Sequence, residues 1–140
     1  MALPDLTGTW HLIGWEIIRN DRVTEPFGPG ATGMICYTAD GHMSACIAAA
    51  GRAPFAGGNP RTAPEAEKAA AHDSYFHYAG TYEVQPGPQV VHRVTQSLNP
   101  GFVGSEQIRQ IDLQGNRLTL SADEPLPDGT IRHHRLIWRR

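Results

Sequence analysis

The sequence predicts an all-β domain of eight antiparallel strands with one short helix between the third and fourth strands. Fifteen glycines and eleven prolines are spread along the chain and divide it into short apolar runs. Within several runs, apolar and polar residues alternate with a period of two, as in strands that bury one face. Short strands separated by turn residues are typical of a β-sandwich or a β-barrel, and this pattern alone leaves both open.

The predicted strands are separated by turn residues in every case. They span residues 9–18, 32–38, 42–48, 76–84, 89–97, 105–112, 116–121 and 130–140. Asp40-Gly41 between the second and third strands is a strong hairpin signal. Residues 49–61 form a loop rich in Gly, Pro and Ala, and residues 62–65 resemble a capping box with proline in the first turn. We therefore expect the helix over residues 66–72.

Length and composition predict a single domain covering residues 1–140. Apolar residues make up 40% of the chain, which is ordinary for a protein with one buried core. The net charge of −2 provides no basic stripe for nucleic acid or an anionic membrane. No apolar run approaches the roughly 20 residues of a membrane span. We expect neither nucleic acid nor membrane as a partner, and a monomer or a homodimer.

The start of the chain and the cysteine content predict a cytoplasmic protein. A secretory signal begins with a positively charged segment followed by an apolar one, and the sequence does not open with this pattern. Cys36 and Cys46 lie on neighbouring strands of the predicted hairpin. A turn centred on Asp40-Gly41 would pair Cys36 with Ala45 and place the two thiols on opposite faces. We therefore expect free thiols.

Several stretches resemble a known family. Residues 8–10, Gly-Thr-Trp, resemble the Gly-x-Trp signature of lipocalins and their wider calycin superfamily. Residues 37–44, 78–82 and 136–140 resemble the intracellular lipocalin-like domain family of bacteria and fungi, as do Val91-His92 followed by Asn99-Pro100 and Gly104. The resemblance covers nearly the whole chain.

The resemblance implies a closed or nearly closed eight-stranded barrel. In the superfamily the tryptophan closes one barrel end and an arginine of the last strand packs across it. Trp10 and Arg140 are therefore expected in structural roles, with Arg140 rather than Arg139 on the indole face. Some relatives lie among secondary-metabolite genes, which implies cyclase or isomerase roles, although a fold does not determine a function. In a barrel, the 49–75 segment is expected to cover one opening and to gate it, with Arg52 either as a loop anchor or in contact with an anionic group of a ligand.

Strand alternation gives the candidate site residues. The catalytic candidates are His92 as acid or base, Tyr78 and Tyr82 as hydrogen-bond donors, and Glu16 as an inward carboxylate. Glu16 shares its parity with Trp10, but a bulge at Gly14 would turn it outward. The ligand-binding candidates, expected to line the same interior, are Tyr37, Met43, Phe76, Gln96, Arg109 and Trp138.

No metal or cofactor is expected. The chain has neither a His-Glu-x-x-His nor a Cys-x-x-Cys pattern, and the adjacent His133 and His134 point to opposite faces of a strand. A single axial haem ligand, His92, is a minor alternative. The nucleophile motif Gly-x-Ser-x-Gly and phosphate-binding loops are also missing from the sequence.

Three functions follow from these residues. The first is binding of a small apolar or aromatic metabolite inside the barrel. The second is a cofactor-free cyclase or isomerase of secondary metabolism that uses His92 and a tyrosine as acid and base. The third is a filled barrel that acts as an interaction module. The interior volume separates the third from the others, because ligand pockets occupy about 300 Å³ or more.

Overall fold

The computed structural model describes residues 2–140 and shows a closed antiparallel β-barrel. The elements are β1 (Gly8–Arg19), β2 (Arg22–Thr24), β3 (Thr32–Tyr37), β4 (His42–Ala48), α1 (Glu65–Asp73), β5 (Tyr75–Gln85), β6 (Gln89–Ser97), β7 (Glu106–Gln114), β8 (Arg117–Pro125) and β9 (Ile131–Arg139). Strands β1 and β3 to β9 form the ring, which the pairing of β1 with β9 closes. The predicted eight-stranded barrel, with its helix after the third ring strand, is therefore confirmed.

The one strand outside the ring is β2, which the sequence analysis does not predict. It pairs only with the end of β1, from Ile17 opposite Thr24 to Arg19 opposite Arg22. Asn20 and Asp21 connect the two strands with positive φ angles of 50° and 61°. These angles are those of the tight hairpin turns for which Asn and Asp are favoured. A three-residue exposed strand has too little periodicity to be predicted.

Trp10 and Arg140 close one end of the barrel, as predicted. Trp10 is fully buried, and its Nε1 donates a hydrogen bond to the Leu6 carbonyl at 2.9 Å. The Arg140 guanidinium lies 4.2 Å from the centre of the Trp10 ring and donates to the Thr7 carbonyl at 3.0 Å. The N-terminal segment and the C-terminus are thus held together over the indole.

Helix α1 includes the predicted residues 66–72, but it begins two residues later than a capping box with Thr62 as the N-cap would imply. Its N-cap position is Pro64, and no side chain caps the helix. A proline disfavours helical backbone in the residue before it, so Ala63 cannot readily belong to a helix that starts at Thr62. The helix buries none of its side chains.

Arg52 anchors the segment that contains α1, as predicted. Its guanidinium donates to the Ser74 hydroxyl at 3.0 Å and to the Ala71 carbonyl at 3.1 Å. It also lies 5.0 Å from the centre of the Tyr75 ring. Tyr75 precedes the inward-facing Phe76, so these contacts attach the segment to the outer face of β5.

The β3–β4 hairpin has a different register from the predicted one. Cys36 lies opposite Ser44 and Met34 lies opposite Cys46, so both thiols share the outer face. The physical reason is a longer turn, in which Gly41 has a φ of 91° and its N–H donates to the Thr38 carbonyl. A turn with an added left-handed glycine shifts the pairing by one residue. Both cysteines are free, as predicted.

Candidate functional site

A cavity of about 500 Å³ occupies the barrel interior. Its wall is mainly aromatic and aliphatic: Trp15, Ile35, Ala45, Ile47, Phe76, Phe102, Leu120, Ala122, Pro125, Leu136 and Trp138. Its polar lining residues are Tyr78, His92, Gln107, Arg109, Asp123, Glu124 and His134. The volume exceeds the roughly 300 Å³ at which ligand pockets begin, and this weighs against a filled barrel.

The most buried polar group of the site is His92, which two tyrosines hold. Strand alternation directs it inward between Val90 and Val94, and only 1% of its surface is exposed. Its Nε2 lies 2.7 Å from the Tyr37 hydroxyl and its Nδ1 lies 2.6 Å from the Tyr78 hydroxyl. Both ring nitrogens are therefore engaged, which is how a buried imidazole avoids the cost of an unpaired polar atom.

Burial keeps all three members of this cluster uncharged near neutral pH. Burial, with a smaller contribution from the nearby Arg109 guanidinium, lowers the pKa of His92 to about 3. Burial likewise raises the pKa of the Tyr37 and Tyr78 phenols, while Arg109 opposes that rise. A neutral imidazole has one N–H donor and one acceptor nitrogen, so the two phenols must bond to it in opposite senses.

The hydrogen-bond inventory assigns the His92 tautomer. Tyr37 is buried, does not line the cavity, and has His92 as its only hydrogen-bond partner among residues 2–140. Its hydroxyl proton is satisfied only if Tyr37 donates to Nε2, which places the imidazole proton on Nδ1. Nδ1 then donates to the Tyr78 oxygen. The Tyr78 proton is left free, and Tyr78 lines the cavity. The cluster thus presents a hydroxyl donor to a ligand.

A second polar cluster lines the cavity and was missed as a site in the sequence analysis. His134 Nδ1 accepts from Trp15 Nε1 at 3.3 Å, and its Nε2 donates to the Glu124 carboxylate at 2.8 Å. This hydrogen bond from His134, with the charge of Arg132, lowers the pKa of Glu124 despite partial burial. The shared parity of His134, Leu136 and Trp138 could have identified His134, but nothing in the sequence places Glu124 beside it.

The cavity shares part of its wall with a recess between β7 and β8. These strands pair only from Gln110 opposite Ser121 onwards, towards the closed end. Before that point, residues 106–109 pair with β6 and residues 122–125 pair with β9. The strands diverge and leave a recess of about 430 Å³, which we call the β7–β8 recess. Four residues line both the recess and the cavity, namely Gln107, Arg109, Ala122 and Asp123.

Two predicted site residues face outward because of β-bulges. The pairing of β1 with β9 shifts between Leu12 and Gly14, which turns Trp15 inward and Glu16 outward. Glu16 forms an ion pair with Arg135 at 2.6 Å and does not line the cavity. A similar shift between Ala79 and Gly80 accommodates an extra residue in β6 and leaves Gln96 exposed. A bulge reverses the alternation beyond it, and alternation was the basis for both inward assignments.

The remaining predicted residues divide into lining and supporting groups. Phe76, Arg109 and Trp138 line the cavity, as Tyr78 and His92 do. Met43 is buried in the core without lining the cavity. Tyr82 packs its ring edge to face with Tyr37 and donates to the Thr38 carbonyl at 2.8 Å. Tyr82 therefore stabilises the position of Tyr37 and does not itself line the cavity.

The 49–75 segment contributes no residue to the cavity lining. Its residues instead line a separate hollow of about 300 Å³ beside α1. The loop between β2 and β3 approaches the cavity more closely, because Phe27 packs against the cavity-lining Trp15 with ring centres 5.1 Å apart. The predicted gating role of the 49–75 segment therefore gains no support from the lining residues.

Comparison with known proteins assigns the family. Among the described residues, no helix has the length and apolar character needed to cross a membrane. A search of curated proteins finds no match. The family model described as a lipocalin-like domain matches residues 7–140, and a barrel of this kind is consistent with small-molecule binding. Since the match covers nearly the entire chain, the protein belongs to the lipocalin-like domain family.

Proposed function

We propose that the protein binds a small, largely apolar or aromatic molecule inside its barrel. The observation that carries this proposal is the cavity of about 500 Å³, whose wall combines five aromatic side chains with a few convergent polar groups. The aromatic residues are Trp15, Phe76, Tyr78, Phe102 and Trp138. This combination is typical of ligand sites, in which apolar contact provides affinity and a few polar groups fix the orientation.

The buried cluster gives the ligand its orientation. Tyr78 is fixed by His92, and Phe76 and Phe102 pack against its ring with centres 5.5 and 6.3 Å away. A carbonyl or hydroxyl oxygen of the ligand that reaches the Tyr78 hydroxyl replaces a hydrogen bond to water. Such preorganisation reduces the entropy lost on binding, since the donor is already in position.

Proton-transfer catalysis is a second candidate, favoured by the chain of hydrogen bonds from Tyr37 through His92 to Tyr78. In this role the group that reaches the substrate is Tyr78, because both nitrogens of His92 are occupied and a pKa of about 3 makes His92 a weak base. Tyr78 would donate its proton to a carbonyl oxygen while the Glu124 carboxylate, which also lines the cavity, accepts the proton that leaves the α-carbon as an enol forms. The Nδ1–H of His92 would then stabilise the phenolate.

The effect of replacing His92 separates the two candidates. If the protein only binds its ligand, His92→Ala changes affinity modestly. If it catalyses enolisation or cyclisation, the same change removes the N–H that stabilises the Tyr78 phenolate and reduces the rate by about 10²–10³, the usual cost of losing one such donor. Assays of the parent protein and of His92→Ala with the ligand recovered from the purified protein provide this comparison.

Titration with the neutral fluorescent probe N-phenyl-1-naphthylamine tests the binding proposal. We expect saturable binding of one probe per chain. Ala122→Trp fills the cavity and should weaken binding at least tenfold, which corresponds to about 1.4 kcal/mol. Ala79→Trp is the matched control, because Ala79 lies on the outer face of β5 opposite the outward Gln96. Equal binding by both variants would refute the proposal, and so would a parent protein that binds neither this probe nor its anionic analogue 1-anilinonaphthalene-8-sulfonate.

We also propose that the protein is cytoplasmic and that it binds its ligand without a nucleic acid or a membrane as a partner. The free thiols of Cys36 and Cys46 support a reducing compartment. Fractionation of the native host with an antibody against the protein would test this placement.

A further inference from the structure

We infer that the ligand is an organic anion, with its apolar body in the cavity and its acidic group at the β7–β8 recess beside Arg109. This inference rests on the proposed function, because it specifies the chemical class of the molecule that the barrel binds. It is carried by the charge and hydrogen-bond inventory of the lining residues.

Arg109 is the only guanidinium or ammonium group among the described residues lining the cavity. It is half-buried, and its one hydrogen bond goes to the carbonyl of its neighbour Ile108 at 2.9 Å. No carboxylate in residues 2–140 lies within 4.0 Å of it, whereas Arg93 and Arg135 on the outer face each form ion pairs. Since a guanidinium has five N–H donors, Arg109 retains most of its capacity to bind an anion.

The carboxylates near Arg109 already have other partners. Asp123 lies 2.6 Å from His133 Nδ1. Glu124 contacts His134 at 2.8 Å and Arg132 at 3.3 Å. Glu106, which lines the recess, pairs with Arg93 at 2.9 Å. Each of these carboxylates is thus bonded to another side chain, and none of them forms an ion pair with Arg109.

Two other groups of the cavity are also free donors. The assigned tautomer leaves the Tyr78 hydroxyl proton available to the cavity. Trp138 lines the cavity too, and its buried Nε1–H has no hydrogen-bond partner among the described residues. Donors without acceptors favour a ligand that is rich in acceptor oxygens, as carboxylates, sulfonates and acidic enols are.

The position of Arg109 limits the cost of binding a charge. It lines both the cavity and the recess, so an anion paired with it can keep contact with water through the recess. A charge buried deeper in the barrel would lose more hydration than one ion pair restores. The aromatic wall then receives only the apolar part of the ligand.

A matched pair of probes tests this inference. 1-Anilinonaphthalene-8-sulfonate and N-phenyl-1-naphthylamine share one aromatic skeleton, and only the first carries an anion. We expect the parent protein to bind the sulfonate more tightly. Arg109→Gln should weaken sulfonate binding about tenfold or more and leave the affinity for the neutral probe within about twofold. Arg109→Lys, which keeps the charge, should restore part of the difference.

Arg117→Gln is the control, because it removes the same charge at a site away from the ligand. Arg117 is exposed on β8 and lines neither the cavity nor the recess. The substitution should leave both affinities unchanged. Equal losses for both probes in Arg109→Gln, or none for the sulfonate, would overturn the anion assignment while leaving the binding function intact. Binding of neither probe by the parent protein would instead refute the binding function.

A measurement on the parent protein alone covers the case in which Arg109→Gln fails to fold. Raising the ionic strength from 0.01 M to 1 M shortens the Debye length from about 30 Å to about 3 Å. Sulfonate affinity should fall relative to that of the neutral probe. An unchanged ratio of the two affinities would contradict the inference.

Discussion

His92 is a buried imidazole that remains neutral at pH values well below the ordinary pKa of histidine. This property makes the free energy of unfolding depend on pH. Its folded pKa of about 3 lies below the unfolded value of about 6.5, so between these values the unfolded chain binds a proton that the native protein excludes. The contribution of His92 is complete above pH 6.5. It falls by about 1.4 kcal/mol per pH unit as the pH drops towards 3.

We therefore predict that His92→Gln flattens the pH dependence of stability between pH 6 and 4.5. The variant is less stable at pH 7, but its free energy of unfolding changes less with acid than that of the parent. Urea unfolding of both proteins across this interval measures the difference. The carboxylates with lowered pKa values make the same contribution to the pH dependence of both proteins. Their effect therefore cancels when the two free energies of unfolding are compared. Parallel curves would show that His92 does not titrate as described.

Arg140 provides a second prediction about a single side chain. Arg140→Ala removes the guanidinium over Trp10 and its hydrogen bond to Thr7, and it should reduce the free energy of unfolding by about 1 kcal/mol. Arg139→Ala should remain within about 0.5 kcal/mol of the parent, because Arg139 is exposed and makes no such contact. Denaturant unfolding compares the variants, and equal effects would contradict the closing role of Arg140.

For single residues, the sequence predicts those side-chain positions that follow from strand alternation or from the family resemblance. His92, Tyr78, Phe76, Arg109 and Trp138 line the cavity as predicted. The contact of His92 with Tyr37 is long range and depends on how the barrel closes, so no local pattern contains it. The same holds for the assignment of the free hydroxyl proton to Tyr78.

Bulges and turns control the facing of the strands. The bulge in β6 places Gly80 where an added Cβ would lie only 1.9 Å from the Arg93 carbonyl oxygen. Gly80→Ala must displace backbone and should destabilise the protein by about 2 kcal/mol. Gly14, at the other bulge, has no atom within 4 Å of an added Cβ. Gly14→Ala should be neutral or stabilise by up to about 1 kcal/mol.

Urea unfolding of the two alanine variants measures this contrast. A Gly80→Ala variant as stable as the parent would contradict the described bulge. These elements also explain the errors of the sequence analysis. Gln96 and Glu16 lie beyond bulges, and Cys46 follows a turn that is one residue longer than the two-residue hairpin. One extra residue reverses every side chain after it, and single sequences rarely reveal such insertions.

For the whole molecule, the spacing of strands and turn residues predicts the all-β class, and the resemblance adds the closed barrel. Neither predicts the size of the interior, because a cavity is a difference between the space inside the ring and the side chains that fill it. The β7–β8 recess is equally hidden, since it arises where two strands stop pairing. The proposed ligand site depends on both features.

The three tryptophan indole N–H groups allow the most direct test of the binding site. Trp15 and Trp138 line the cavity, whereas Trp10 is sealed under Arg140 at the closed end. Nitrogen–proton correlation NMR resolves one indole signal for each. On saturation with N-phenyl-1-naphthylamine, we predict shifts of the Trp15 and Trp138 signals and an unchanged Trp10 signal. A bound probe that leaves Trp15 and Trp138 unshifted would place the ligand outside the barrel and contradict the account.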